Sequence, residues 1–216
     1  MMQPLLTYAL IAGTCLISLM NMNNREFKMR FMFSAYAIDK NREWWRFFTG
    51  GFLHADFGHL LFNMFSFYFF GTLVEQTFKM EFGMGIGTLM YLALYVTSLP
   101  ASNIYTYFRQ RDNPNYFALG ASGAVSAVIY ASILVYPLQH IFIYFISVPA
   151  WIFGIVYLGI SWVMARNKSD NIGHDAHFFG AVYGFLFPAI FNPSLLSRFV
   201  EQIEMFFRFG GNFFGH

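Results

Sequence analysis

The sequence predicts an all-α protein that crosses a membrane with about six helices. Apolar residues make up 57% of the 216 residues and charged residues only 11%, far from the composition of a soluble domain. The apolar residues gather in runs close to the ~20 residues that a helix needs to cross a bilayer. Proline and charged clusters fall between most of these runs, where turns are expected. At this length we predict a single domain, residues 1–216.

The first predicted span covers residues 4–20, and a polar stretch, 21–56, follows it. Basic residues are set among apolar ones in this stretch, which predicts a loop lying partly in the membrane interface. Further spans are predicted at 57–74, 84–101, 120–136, 141–164 and 175–192. Residues 193–216 are predicted to form an amphipathic or frayed tail. Pro149 falls inside the fifth predicted span, so a kink is expected there.

Charge and cysteine content narrow the class of protein. The formal net charge of +2 gives no indication of a nucleic-acid partner. The single cysteine, Cys15, excludes an intrachain disulfide. The first apolar run has no basic residue before it and no small-residue cleavage site, which favours a retained span over a signal peptide. A compact chain without a transit-like leader favours the bacterial plasma membrane.

The string Gly120-Ala121-Ser122-Gly123 opens the fourth predicted span. A polar side chain at membrane depth is costly unless it has partners or a chemical role. The two glycines let a backbone or a substrate approach the Ser122 hydroxyl without meeting a Cβ atom. Small residues in membrane helices also serve close packing, so this string alone leaves both interpretations open.

The string Ala176-His177-Phe178-Phe179-Gly180 opens the last predicted span, and Gly184 continues it. His177, Gly180 and Gly184 share one helical face, which predicts close contact with another helix. If that partner is the fourth span, His177 can accept the proton of Ser122. A nucleophile and a base are the minimum for covalent acyl transfer. A structural histidine above an ordinary packing motif is the alternative.

The second predicted span carries His59 and Asn63 four residues apart on one face. The amide of Asn63 lies in an apolar run, where it is costly without a hydrogen bond. Donors held near a nucleophile would stabilise a tetrahedral oxyanion. Hydrogen bonds that only hold the bundle together are the alternative.

The remaining histidines and Asp175 give weaker indications of a function. His54, His59, His174 and His177 allow a metal-binding interpretation, but the His-Glu-x-x-His string of a metalloprotease zinc site is absent. We therefore predict no metal and no cofactor. Asp175 is too close to His177 in sequence to serve as a third triad member if the helix has begun there.

Two features near the second span indicate structure rather than catalysis. Trp44-Trp45-Arg46 is typical of a membrane interface. Glu75 is predicted to accept hydrogen bonds at a helix end.

Four strings, taken together and in order, resemble the rhomboid family of intramembrane serine proteases, and they extend from about Trp45 to Gly184. They are Trp45-Arg46, His59-Leu60-Leu61-Phe62-Asn63, Gly120-Ala121-Ser122-Gly123 and Ala176-His177-Phe178-Phe179-Gly180. The resemblance implies that Ser122 is the nucleophile and His177 the general base, with no carboxylate orienting the imidazole. It also implies an oxyanion hole formed by His59, Asn63 and the backbone N–H of Ser122.

The resemblance further implies a bundle of about six helices whose short fourth helix leaves a water-filled cavity at Ser122. The implied substrates are membrane-anchored proteins, cut near a helix end where the strand can unwind, and the implied partner is the lipid bilayer. Bacterial members open their active site away from the cytoplasm, whereas the loop charges favour a cytoplasmic first loop. We follow the resemblance. A catalytically inactive relative that binds membrane helices is the alternative, but such relatives typically lack the serine or the histidine.

One position departs from the family pattern. Many bacterial members carry an aromatic residue four positions after the nucleophile, where it packs against the base, and here that position is Ser126. We hypothesise that His177 is held instead by neighbouring helices or by a hydrogen bond to Ser126.

Overall fold

The computed structural model describes residues 3–143, 145–167 and 173–209, and this part of the chain contains ten α-helices. In chain order they are α1 (Leu5–Asn21), α2 (Arg25–Phe31), α3 (Ala35–Asn41), α4 (Arg46–Thr49), α5 (Phe57–Phe82), α6 (Met84–Gln110), α7 (Ser122–Val135), α8 (Ala150–Asn167), α9 (His174–Phe191) and α10 (Ser194–Arg208). A 3₁₀ turn, Gly50–Phe52, links α4 to α5, and a two-stranded hairpin, β1 (His140–Ile143) and β2 (Ile146–Pro149), precedes α8.

The predicted all-α membrane bundle is confirmed. Among the described residues, α5 and α6 are each long and apolar enough to cross a membrane, and α9 with α10 passes the same test as a pair bent by 115°. The helices α1, α7 and α8 are apolar but shorter. Large apolar side chains remain exposed on the outer faces, among them Phe62 at 73% and Ile190 at 72%, as expected for helices that contact lipid.

The shortest of the predicted spans, α7, lies at the centre of the bundle. Every residue from Gly123 to Leu134 is buried, with α5, α6 and α9 packed around the helix. A helix that is apolar on all sides is expected in such a position. With 14 residues, α7 is about 21 Å long and shorter than α5, α6 and α9, which pack around it.

The fifth predicted span, 141–164, is wrong at its start. Residues His140–Ile143 pair antiparallel with Ile146–Pro149, with His140 opposite Pro149, and α8 begins only at Ala150. Pro149 therefore ends β2 and kinks no helix. The ring of proline disfavours the helical conformation for Val148, which keeps this residue extended. Isoleucine, phenylalanine and valine supply the strand propensity on both sides of the turn.

The interfacial segment 21–56 contains short helices as well as loops. Asn24 and Ser34 begin two of them, because their side chains accept hydrogen bonds from the backbone N–H groups of Phe27 and Ala37. Trp44 and Trp45 are about half exposed.

Arg46 differs from its neighbours at this predicted interface because it is buried. Its guanidinium pairs with Glu43 and donates hydrogen bonds to the carbonyl oxygens of Met29, at 3.0 Å, and Met32, at 2.9 Å. Arg46 therefore joins α4 to the end of α2.

Glu75 caps a helix, as predicted. Its fully buried carboxylate accepts hydrogen bonds from the backbone N–H of Leu6, from both the N–H and the hydroxyl of Thr7, and from Lys79 at 2.6 Å. Pro4, which precedes α1, supplies no side-chain cap. The carboxylate of α5 thus satisfies the amino-terminal donors of α1.

The predicted tail contains the helix α10, and residues 210–216 lie outside the described part. Arg198 of α10 binds both carboxylate oxygens of Glu81 at the end of α5, at 2.8 and 2.7 Å. This ion pair holds the tail against the bundle.

Candidate active site

A cavity of about 1530 Å³ opens beside α7. Its walls come from α5, α7 and α8, and its far end reaches the hairpin. The four site residues predicted from the sequence all line it: His59, Asn63, Ser122 and His177. The structure therefore brings together residues that lie more than 100 positions apart in the chain.

Ser122 is the first residue of α7 and is positioned by the turn before it. Gly120 has φ = 122°, a backbone conformation that residues other than glycine rarely adopt. A Cβ atom at Gly120 would also lie 2.7 Å from Cε1 of His59, so the missing side chain leaves room for this imidazole. The N–H of Gly120 donates to the carbonyl of Gly50 at 3.0 Å, which fixes the turn against the segment before α5.

The amino terminus of α7 carries free hydrogen-bonding capacity. No side chain caps this helix end. The first backbone N–H groups of a helix have no partner within the helix and favour negative charge nearby. The site therefore offers backbone donors beside the Ser122 hydroxyl.

His177 lies in the first turn of α9, and the helix behind it is in backbone contact with α7. A Cβ atom added at Gly180 would lie 2.2 Å from the carbonyl oxygen of Gly123, and one added at Gly184 would lie 1.9 Å from that of Ala127. The partner of this glycine face is α7, the predicted fourth span. The close helix contact predicted from the spacing of His177 and the two glycines is therefore present.

Aromatic rings surround His177. The ring of Tyr157 on α8 lies 6.2 Å from the imidazole, centroid to centroid, and is inclined by 28°. The ring of His174 lies 5.8 Å from the same imidazole and is nearly perpendicular to it. Asp175 accepts a hydrogen bond from Arg109 at 3.1 Å, so its carboxylate binds a cation on α6.

His59 and Asn63 occupy the first two turns of α5. Asp56 caps this helix by accepting a hydrogen bond from the backbone N–H of His59 at 2.8 Å. Asn63 is 3% exposed, and its amide donates to the carbonyl of His59 at 2.9 Å. An asparagine amide has two N–H donors, so one further donor is available toward the cavity.

His54 has a supporting position that sequence reasoning did not identify. The hydroxyl of Ser18 donates to the carbonyl of Phe52 at 2.9 Å, so it accepts a hydrogen bond from Nδ1 of His54 at 2.8 Å. The other ring nitrogen, Nε2, then accepts the backbone N–H of Ala121 at 3.4 Å. Burial, followed by the neighbouring His59, lowers the pKa of His54 to about 4. A neutral His54 therefore joins α1 to the turn that carries Ser122.

The metal-binding interpretation gains no support from the arrangement of side chains. Within residues 3–143, 145–167 and 173–209, no three His, Cys, Asp or Glu side chains are grouped as metal ligands. His54 and His59 form an edge-to-face ring pair at 5.0 Å.

The described hydrogen-bond partner of Ser126 is Tyr157. The two hydroxyls are 2.9 Å apart, and the ring of the same tyrosine packs against His177. A residue of a neighbouring helix thus contacts the imidazole, in agreement with the first form of the hypothesis. No local sequence pattern identifies this role of Tyr157, because Ser126 and His177 lie in other helices.

Comparisons with known proteins agree with these observations. Residues 41–194 match the family model described as "Rhomboid domain". The chain is 30% identical over 169 residues to "RHOMBOID-like protein 12, mitochondrial" of Arabidopsis thaliana, a match covering 73% of this chain and 50% of that protein. It is 28% identical to "Rhomboid protease GluP" of Bacillus subtilis, covering 84% of this chain and 34% of the relative.

A third relative is matched over more of its length. "Rhomboid protease GlpG" of Haemophilus influenzae is 28% identical over 150 residues, which cover 68% of this chain and 70% of the relative. The chain spans half the length of the plant relative and about a third of GluP. The family match covers all four predicted site residues and most of the cavity lining. The chain is an integral membrane protein that belongs to the rhomboid family.

Proposed function

We propose that the chain is an intramembrane serine endopeptidase in which Ser122 is the nucleophile and His177 the general base. One observation carries this proposal. Ser122 and His177 lie in the first turns of two helices that are in close contact at Gly123 and Gly180, and both residues line the same cavity. Relatives named rhomboid proteases support the same activity at the level of the family.

The reaction follows from these groups. His177 takes the proton of the Ser122 hydroxyl as Oγ attacks the carbonyl carbon of the scissile peptide. The tetrahedral oxyanion accepts hydrogen bonds from His59, Asn63 and the backbone N–H of Ser122. The C–N bond then breaks, and the leaving amine takes the proton from His177. A water molecule, deprotonated by His177, hydrolyses the acyl-enzyme and regenerates the Ser122 hydroxyl.

The substrates we propose are membrane-anchored proteins. The cavity extends from Ser122 along α5 and α8, and its α5 wall includes Phe62, Phe65 and Phe69, which are also more than half exposed. A substrate helix in the bilayer would therefore meet an apolar entrance before its unwound end reaches the polar residues at Ser122. No nucleic acid is involved in this proposal.

The membrane we propose is the bacterial plasma membrane, with the site opening away from the cytoplasm. Two of the relatives described above come from bacteria, and the plant relative carries a mitochondrial name. Fractionation of the native cell, with protease protection of a tag placed in the segment between α1 and α5, would test both the compartment and the orientation.

Cleavage of a co-expressed membrane-anchored reporter tests the function. Ser122→Ala and His177→Ala are each expected to abolish cleavage while the protein still accumulates in the membrane. Ser98→Ala is the matched control, since it removes a buried hydroxyl from the membrane helix α6 without touching the cavity. Cleavage that persists in either site variant would overturn the dyad, and a parent protein without activity would favour the inactive relative.

A further inference from the structure

The imidazole of His177 packs against the ring of Tyr157, which lies on a different helix from Ser122. Tyr157 lies on α8, with its ring 6.2 Å from the imidazole and inclined by 28°. Rings at this separation and inclination form an offset stack. The phenol and the imidazole both line the cavity beside Ser122.

The Tyr157 ring is held at both ends. Its hydroxyl is 2.9 Å from the hydroxyl of Ser126 and also hydrogen-bonds Ser161, one turn further along α8. Ser126 and Ser161 are buried, at 2% and 3% exposure, so water does not replace these partners easily. The ring itself packs on Phe153, with centroids 5.6 Å apart.

We propose that Tyr157 is the positioning residue of His177 and that Ser126 holds it in place; this inference rests on the proposed function. An imidazole can turn about two side-chain bonds, and a stacked ring removes part of that freedom. Ser126 lies one turn after Ser122 on α7. The hydrogen bond from Ser126 to Tyr157 therefore sets the imidazole relative to the helix that carries the nucleophile.

The consequence is that α8 carries part of the active site. A small residue at position 126 is required, because a ring at that position would meet the phenol of Tyr157 only 2.9 Å from the serine oxygen. Any displacement of α8 that separates Tyr157 from Ser126 also removes the ring from His177. The cavity wall and the orientation of the base are thus coupled through one side chain.

Kinetics of purified variants test this inference. Tyr157→Leu keeps a side chain of moderate size but removes the ring, and it is expected to lower kcat by roughly threefold to tenfold. KM is expected to change by less than about twofold, because the orientation of the base affects mainly the chemical step. Tyr157→Phe restores the ring but not the hydroxyl that binds Ser126, so it should recover part of the lost kcat. Ser126→Ala keeps the ring and removes the same hydrogen bond, so its kcat should also lie between those of the parent and Tyr157→Leu.

Trp162→Leu is the matched control. Trp162 also lies on α8 and contacts α9 through Phe178, with centroids 5.1 Å apart, but it does not line the cavity. It should keep the parent kcat. Equal losses in Trp162→Leu and Tyr157→Leu, a Phe variant as slow as the Leu variant, or a Ser126→Ala variant slower than Tyr157→Leu would each overturn the inference.

A measurement independent of activity separates this inference from the proposed function. In histidine-labelled protein, the carbon-bound ring protons of His177 experience the ring current of Tyr157, and comparison with His177→Gln assigns them. They should move downfield in Tyr157→Leu and stay in Tyr157→Phe. If the His177 resonances do not move in Tyr157→Leu, the proposed stacking is wrong even when the protein is active. If they move as expected in a protein that cleaves no substrate, only the proposed protease activity is wrong.

Discussion

The contact between α7 and α9 should tolerate no side chain at Gly180. Gly180→Ala would add a Cβ atom 2.2 Å from the carbonyl oxygen of Gly123, and that oxygen belongs to a helix backbone that cannot rotate away. Ordinary contact begins at 3.4 Å, so α9 would have to move by roughly 1.2 Å. His177 lies one turn earlier on the same helical face and moves with it.

The magnitude of the effect follows from this displacement. A misplacement of about 1 Å at catalytic groups can cost on the order of 10²-fold in rate. Overpacking of this kind also destabilises a protein by about 1–3 kcal/mol. We therefore expect Gly180→Ala to reduce kcat by on the order of 10²-fold even at temperatures where the protein remains folded.

The assay is cleavage of a purified membrane-anchored reporter in liposomes, with thermal unfolding measured on the same samples. Gly159→Ala is the control, because it adds a methyl group to the membrane helix α8 at a position with no atom within 4 Å. It should match the parent in both rate and stability. A Gly180→Ala variant as active as Gly159→Ala would refute the argument that helix contact sets the distance from base to nucleophile.

Three further predictions concern single side chains. His54 has a folded-state pKa of about 4 against an ordinary 6.5, so its contribution to the free energy of unfolding should fall by about 2.5 kcal/mol between pH 7 and pH 4.5. Unfolding curves in detergent should show that His54→Gln loses this dependence. Asn63→Ala should lower kcat by ~10²–10³-fold with little change in KM, as steady-state kinetics would reveal, since its contact strengthens in the transition state. Glu75→Ala leaves Lys79 buried without its carboxylate partner and should lower the free energy of unfolding by about 3–5 kcal/mol. Glu81→Ala removes a surface ion pair from the same helix and should lower it by at most about 1 kcal/mol.

The candidate site was predictable because its strings are local. Helical spacing alone placed His177, Gly180 and Gly184 on one face, and the added Cβ distances show that this face meets α7. The i, i+4 spacing of His59 and Asn63 likewise put both on the cavity side of α5. Each of these predictions depends only on residues within two turns of one another.

The parts that sequence did not indicate depend on distant partners. Tyr157 is 31 positions from Ser126 and sits in an apolar helix where a tyrosine has no special meaning. Arg46 looks like an interface cation until the carbonyl oxygens of Met29 and Met32 are found around it. His54 joins α1 to the turn before α7, a contact between segments with no common pattern.

The sequence does not predict the hairpin before α8, for a different reason. Apolar residues in a short run fit a strand as well as the start of a membrane helix, and periodicity does not separate the two. Pro149 carried the information, since a proline marks the first turn of a helix as readily as a kink within one. In the structure Pro149 is the last residue of β2 and α8 starts at Ala150, so the proline lies immediately before the helix.

Covalent trapping tests the central claim most directly. Purified protein in detergent would be incubated with a serine-reactive phosphonate, and the adduct would be mapped by mass spectrometry. The account predicts one adduct, on Ser122, and its loss in His177→Ala while Tyr157→Leu only slows its formation. An adduct on another residue would contradict the role of Ser122 as nucleophile. So would cleavage of the reporter by a protein in which Ser122 stays unmodified or is replaced by alanine.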